Sequence, residues 1–145
     1  MLHKKVLIVE TFIQLRELED WIWDPACGAV ICFLGTVRNI NLGKEVLEIE
    51  YSAYPEMALK EMHRIVDEAF KQWPLSKCAF VHRVGKLKAG DAAVALLVSS
   101  EHREPGFYAS QWIISEMKKQ VPIWKKEFYQ DGSSWLGLQC DHTLS

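Results

Sequence analysis

With 145 residues, 49% of them hydrophobic and 25% charged, the chain has the size and make-up of one globular domain with a sizeable core. Its 17 basic and 19 acidic residues give a net charge of -2, which excludes a general nucleic-acid binder carrying excess Lys and Arg. No apolar run reaches the roughly 18–20 residues needed to cross a bilayer, so no membrane partner is expected.

The start, MLHKKVLIVE, is basic and then apolar, but the apolar part is too short for a signal peptide and Glu10 interrupts it. The chain therefore reads as cytoplasmic. Lys4 to Glu10 reads as a strand around Val6, Leu7, Ile8 and Val9. Thr11 and Gln14 have capping-box spacing and predict a helix start, after which Leu15, Leu18 and Ile22 recur at helical intervals. Residues 28–37 (GAVICFLGTV) are apolar and β-branched, the pattern of a buried strand, and residues 38–43 follow as a polar loop. Glu45 to Tyr51 alternates and predicts a strand with one wet face. Pro55 opens a second helix, in which Ala58, Met62, Ile65, Ala69 and Trp73 share a face until Pro74. Cys78 to Val84 and Asp91 to Ser99 are the next strands, joined by a glycine-punctuated turn region, GKLKAGD. A third helix is expected from Pro105 to Gln120, then a hairpin of Ile123 to Tyr129 and Ser134 to Leu138. With no repeat or linker, residues 1–145 form a single compact α+β domain with about three helices.

Positive charge crowds into residues 99–127, SSEHREPGFYASQWIISEMKKQVPIWKKE. His102 and Arg103 sit between a strand end and a helix start, where unsatisfied N–H groups and the helix dipole favour an anion. An Arg fork there suits phosphate or carboxylate, although a plain capped helix with two solvated side chains fits the same residues. Lys118 and Lys125 flank the break at Pro122, so both amines can converge on one pocket. A lysine amine, ordinarily near a pKa of about 10.4, becomes a useful acid, base or nucleophile when desolvated or crowded by cations. A lysine-rich helix end complementing the macrodipole is the alternative. Arg38, just beyond an apolar strand, is placed as loop ligand contacts commonly are. Trp124 is expected in the core, and His82 and Arg83 read as structural or interfacial. Cys27, Cys32, Cys78 and Cys140 form no CxxC pair or metal spacing and read as reduced thiols, so no metal is expected.

Together, residues 28–43 (GAVICFLGTVRNINLG), 49–58 (IEYSAYPEMA), 81–104 (VHRVGKLKAGDAAVALLVSSEHRE) and 122–127 (PIWKKE) resemble the large, catalytic subunit of molybdopterin synthase. The resemblance covers roughly residues 5–136 in the family's order and spacing. It implies an α/β hammerhead arrangement, a mixed or antiparallel sheet with a small β subdomain. It also implies a sulfurtransferase of molybdenum-cofactor synthesis. Such enzymes move sulfur from the C-terminal thiocarboxylate of a small ubiquitin-like subunit to cyclic pyranopterin monophosphate, making the dithiolene of molybdopterin. The Gly-Gly tail of the small subunit enters a pocket on the large one, and two large subunits form a homodimer within a heterotetramer. No permanently bound cofactor is implied.

Matched position by position, the resemblance makes Lys118 and Lys125 the essential lysines, with Arg38, His102 and Arg103 holding the pterin and its phosphate. Thr36 and Val37 lie along the same wall, and Lys126 and Glu127 extend the site past Lys125. Two departures stand out: Gln139 where the family commonly has Arg, and Glu101, an added negative charge beside the His-Arg pair. Two other readings compete. One is a non-catalytic subunit that binds a phosphate ligand or a peptide tail on the same fold; the other is a cysteine persulfide sulfurtransferase.

Overall fold

A computed structural model of the chain describes residues 3–138. Strands β1 (Lys4–Val9), β2 (Ala29–Thr36), β5 (Lys77–Arg83) and β7 (Ala92–Ser100) form a mixed sheet in the order β1-β5-β7-β2. Only β1 and β5 run parallel. A second, antiparallel sheet orders β3 (Ile40–Asn41), β4 (Lys44–Ala53), β8 (Ile123–Tyr129) and β9 (Ser134–Leu138), with β6 (Gly85–Lys88) also on β4. This second sheet is the small β subdomain that the resemblance implies.

Helices α2 (Pro55–Gln72) and α3 (Arg103–Gln120) cover one face of the mixed sheet, and the shorter α1 (Leu15–Ile22) covers part of the other. The main core joins Met62, Ile65 and Ala69 of α2 and Ile113 and Met117 of α3 to Phe80, Leu96 and Val98 of the sheet. Each such large side chain contributes roughly 1.5–3 kcal/mol through its burial. Trp73 closes the far end of α2 edge-on against Trp112, ring centroids 5.7 Å apart. On the opposite face, Leu18 and Ile22 pack onto Ala79, Val81, Ala95 and Leu97. The helical spacing and strand alternation read from the sequence are thus the spacings that fill these two layers.

Several local expectations give way. The first helix starts at Leu15, with Gln14 at its N-cap and no side-chain cap. Residues 11–14 are held by tertiary contact instead: the Phe12 ring lies 4.6 Å from the Arg83 guanidinium and Ile13 packs on the smaller core. The third helix begins at Arg103, which leaves Pro105 in the first turn, where its missing N–H costs nothing. β3 and β6 lie in stretches that read as loop and turn, because two to four residues are too few to show a period.

Strand β2 is not buried. It is the edge of its sheet, and α1 spans only β5 and β7, so Val30, Cys32 and Leu34 stand uncovered beyond the helix. Trp124 is 42% exposed rather than in the core, because alternation along β8 turns Ile123, Lys125, Glu127 and Tyr129 inward and Trp124 outward. Gln139 and Cys140 lie outside the described residues.

Close approach of α3 to β2 depends on Gly106, where an added Cβ would lie 2.8 Å from Ser100 Oγ and 2.9 Å from Ile31 Cγ1. Gly→Ala inside a helix ordinarily stabilises by roughly 0.5–1 kcal/mol. Gly106→Ala is expected to reverse that sign, destabilising the protein by about 1–2 kcal/mol in denaturant unfolding through overpacking.

Candidate active site

The mixed sheet meets the second sheet where β2 ends and the chain crosses over through Val37, Arg38 and Asn39. Backbone bonds from Val37 N to Asp91 O and from Gly90 N to Val37 O, 2.9 and 2.8 Å, fix that crossover. In the corner is a cavity of about 270 Å³. Its walls are the end of β2 with Thr36, Val37 and Arg38, the last turn of α3 with Met117 and Lys118, and the inward face of β8 with Lys125 and Glu127. Asn41, Tyr51 and His82 complete it.

Charge is arranged unevenly around this cavity. Glu127 is 1% exposed, and its carboxylate accepts from Asn41 Nδ2 at 2.8 and 3.1 Å and from the Tyr129 hydroxyl at 3.1 Å. Lys125 Nζ lies 3.4 Å from Glu127 Oε2, and 5.9 Å from the centre of the Trp135 ring. Arg38 Nη2 reaches Asn41 Oδ1 at 3.5 Å. Among the described residues three cations share the hollow with one carboxylate, a net excess of positive charge facing any incoming anion.

Lys118 is the group whose chemistry this environment changes most usefully. Burial lowers its pKa from the ordinary amine value, and the positive charges of Lys125 and Arg38 lower it further. A larger share of the amine is then neutral near physiological pH, able to take up a proton, while its protonated form is a stronger acid. Two tyrosines go the other way. Burial pushes Tyr51 up to about 12, helped by the Glu127 charge, and burial with the Glu127 hydrogen bond pushes Tyr129 up to about 12. Both stay protonated, so Tyr129 remains a donor to the carboxylate.

His82 sits on the cavity wall, where the sequence suggested a structural or interfacial residue. Its Nδ1 lies 2.8 Å from the carbonyl of Arg83, and its ring packs edge-on to Tyr51 with centroids 5.2 Å apart. Asn41, Tyr51 and His82 were missed because each lies in a run that reads as loop or strand. The only available signal was the polar character of Asn41 and His82 beside apolar segments.

Among the residues singled out from the sequence, Thr36, Val37, Arg38, Lys118, Lys125 and Glu127 come together. Lys126 does not: it lies on the outer face of β8, its amine 5.1 Å from the centre of the Phe128 ring. His102 and Arg103 are also elsewhere. They start α3 while Lys118 is in its last turn, and fifteen residues of helix separate them by about 22 Å. The His102 and Glu101 side chains are 77% exposed and 3.3 Å apart, so the extra acid pairs with the histidine.

Among known proteins, the profile of the MoaE protein family matches residues 8–120. The chain belongs to the MoaE protein family. A molybdopterin synthase catalytic subunit from Halalkalibacterium halodurans is 40% identical over 143 residues, covering 99% of this chain and 92% of its own. Another, from Pyrococcus abyssi, is 43% identical over 122 residues, covering 84% and 82%. The crystal structure of molybdopterin synthase from Staphylococcus aureus has a TM-score of 0.84 at 38% identity, over 90% of this chain and 94% of that one. The family and the α+β fold expected from the sequence are both borne out, and the chain is an enzyme of molybdenum-cofactor synthesis. Among the described residues no helix is long and apolar enough to cross a membrane.

The electrostatics of the hollow give a direct check. Amine-reactive labelling followed residue by residue should find Lys118 reacting at a pH below the ordinary lysine range of about 10.4. Lys125→Met removes a neighbouring cation, so the Lys118 midpoint should move upward. A midpoint unmoved by that change would show that the amines do not sense one another.

Proposed function

We propose that the chain catalyses transfer of sulfur from the C-terminal thiocarboxylate of a small ubiquitin-like subunit to cyclic pyranopterin monophosphate. The observation that carries this reading is the single hollow in which Arg38, Lys118 and Lys125 converge. Both reactants are anions, and both need cations to bring them together against their mutual repulsion.

Arg38 at the crossover suits the phosphate, since its planar fork offers paired donors. Lys125, held on Glu127, suits the thiocarboxylate. Sulfur forms its bond to a pterin side-chain carbon as an oxygen function leaves, and Lys118 delivers a proton to that oxygen. Water then attacks the thioester carbonyl, releasing the tail as a carboxylate and leaving the sulfur on the pterin. A general acid of this kind is worth about 100- to 10,000-fold in rate.

Cys32 and Cys78 offer little to the persulfide alternative. Burial pushes Cys78 up to about 12, and the partial loss of water around Cys32 on its exposed strand, with the charge of Glu19, raises its thiol too, so neither thiolate is favoured. Convergence of both lysines on one hollow weighs against a subunit that merely binds.

His102 and Arg103 fit this reading if two copies of the chain pair. The open edge of β2 carries exposed Val30, Phe33 and Leu34, and an apolar groove of about 430 Å³ runs between β2 and α3. That groove shares Phe33 and Ile114 with the cationic hollow. Ala29 at the start of β2 pairs with Ser100, two residues before His102, whereas Thr36 at its end borders the hollow. A twofold axis that sets two β2 edges antiparallel therefore brings the start of one strand beside the end of the other. His102 and Arg103 of one copy then approach Arg38 and Lys118 of its mate. The homodimer, with a small subunit for each hollow, is the heterotetramer of this proposal.

Two outcomes test it. With preloaded thiocarboxylate, Lys118→Ala and Lys125→Ala should each lower dithiolene formation by at least about 100-fold, the scale of a lost general acid; undiminished transfer in either would overturn the assignment. Lys118→Ala and Arg103→Ala, each inactive alone, should regain activity when their subunits are exchanged, because about a quarter of the sites are then intact on random pairing. No recovery from exchanged dimers would show that Lys118 and Arg103 of different copies do not share a site.

A further inference from the structure

We propose that Asn41 is a positioning residue for this reaction, an amide wedged between Arg38 and Glu127 that stops the two from pairing and so keeps Arg38 available to phosphate. The inference rests on the sulfur-transfer reading of the hollow and concerns a residue in neither the lysine set nor the anion clamp.

Asn41 is 6% exposed and uses both ends of its amide within the cavity wall. Its Nδ2 donates to the two Glu127 oxygens at 2.8 and 3.1 Å, and its Oδ1 accepts from Arg38 Nη2 at 3.5 Å. A guanidinium and a carboxylate in a partly desolvated pocket attract strongly and favour a bidentate pair. Such a pair would use up the fork that phosphate needs and would draw Glu127 away from Lys125, whose amine lies 3.4 Å from the same carboxylate. A neutral amide between them satisfies both partners without cancelling either charge.

The backbone is shaped to deliver this side chain. Asn41 closes the two-residue strand β3, and the loop to β4 is Leu42 and Gly43, both with positive φ, 51° and 77°. A two-residue hairpin loop requires that geometry. Leucine is a poor occupant of the left-handed region, at about 1–2 kcal/mol, and Leu42 is 60% exposed, so packing offsets little of that cost. What the loop secures is register: a slip of one residue would turn Asn41 out of the hollow.

The test compares the wild-type chain with Asn41→Leu, Asn41→Asp, Glu127→Gln and the Asn41→Leu/Glu127→Gln double variant. Binding of cyclic pyranopterin monophosphate is measured by calorimetry, and kcat and KM by dithiolene formation with thiocarboxylated small subunit. Asn41→Leu should weaken pterin binding and lower kcat by at least about tenfold, the scale of a charge-assisted hydrogen bond. Adding Glu127→Gln removes the carboxylate that would capture Arg38, so the double variant should bind pterin more tightly than Asn41→Leu alone. A purely structural role would not give that recovery. Asn41→Asp preserves size in case Asn41→Leu melts early, and it should lose pterin binding because its own carboxylate would capture Arg38. Wild-type binding and kinetics in a folded Asn41 variant, or additive losses in the double variant, would overturn the inference while leaving the sulfur-transfer reading in place. A wild-type chain that neither binds the pterin nor transfers sulfur would sink that reading and this inference with it.

Discussion

A carboxylate with almost no solvent around it, that of Glu127, persists only while donors surround it, because an unpaired buried charge costs several kcal/mol. Its donors among the described residues include Asn41 from a short hairpin, Tyr129 from two residues further along β8, and Lys125 from two residues before. Meeting their geometry requires β4 to sit between β3 and β8, and requires β8 to turn Lys125 and Glu127 inward and Trp124 and Lys126 outward. The second sheet is built around an anion, not only around an apolar core. That anion sets where the amine of Lys125 rests, and Lys125 in turn helps depress the pKa of Lys118. Charge at one buried position thus propagates into the acid–base character of a residue on a different element.

Helix α3 carries the other half of the design. Its last turn brings Lys118 to the hollow, its middle fills the main core through Ile113, and its first turn carries His102 and Arg103 to the far end. A rigid helix of this length cannot serve both ends of one site within one chain. The twofold pairing proposed along β2 would resolve the conflict, because it would reverse the second copy and bring its helix start to the first copy's helix end. Under that proposal the uncovered apolar stripe of β2 and the distance of the His-Arg pair would have one explanation.

Much of this was legible in the sequence. Helical spacing from Pro55 to Trp73 and apolar runs at 78–84 and 91–99 marked the layers of the main core, and the observed elements fill it within a residue of those bounds. Arg38, Lys118 and Lys125 stood out because each lies next to a chain reversal, and reversals are where side chains from different elements meet. The separation of Arg103 from Lys118 was also readable, since fifteen helical residues span about 22 Å. Other features depend on which strands neighbour which. Alternation in 123–129 shows that Lys125 and Lys126 point opposite ways but not which way is inward. Exposure of β2 reflects how far α1 reaches across the sheet, a length set by tertiary packing and not by the apolar character of β2 itself. Asn41 and His82 acquire meaning only once the two sheets abut.

The most direct measurement is a crystal structure with cyclic pyranopterin monophosphate bound. The account predicts one pterin per chain in the corner between the sheets, its phosphate against Arg38 and its reacting side chain within reach of Lys118, with His102 and Arg103 approaching from a second copy across β2. A pterin seated elsewhere, or a phosphate held by His102 and Arg103 while the hollow around Glu127 stays empty, would contradict it.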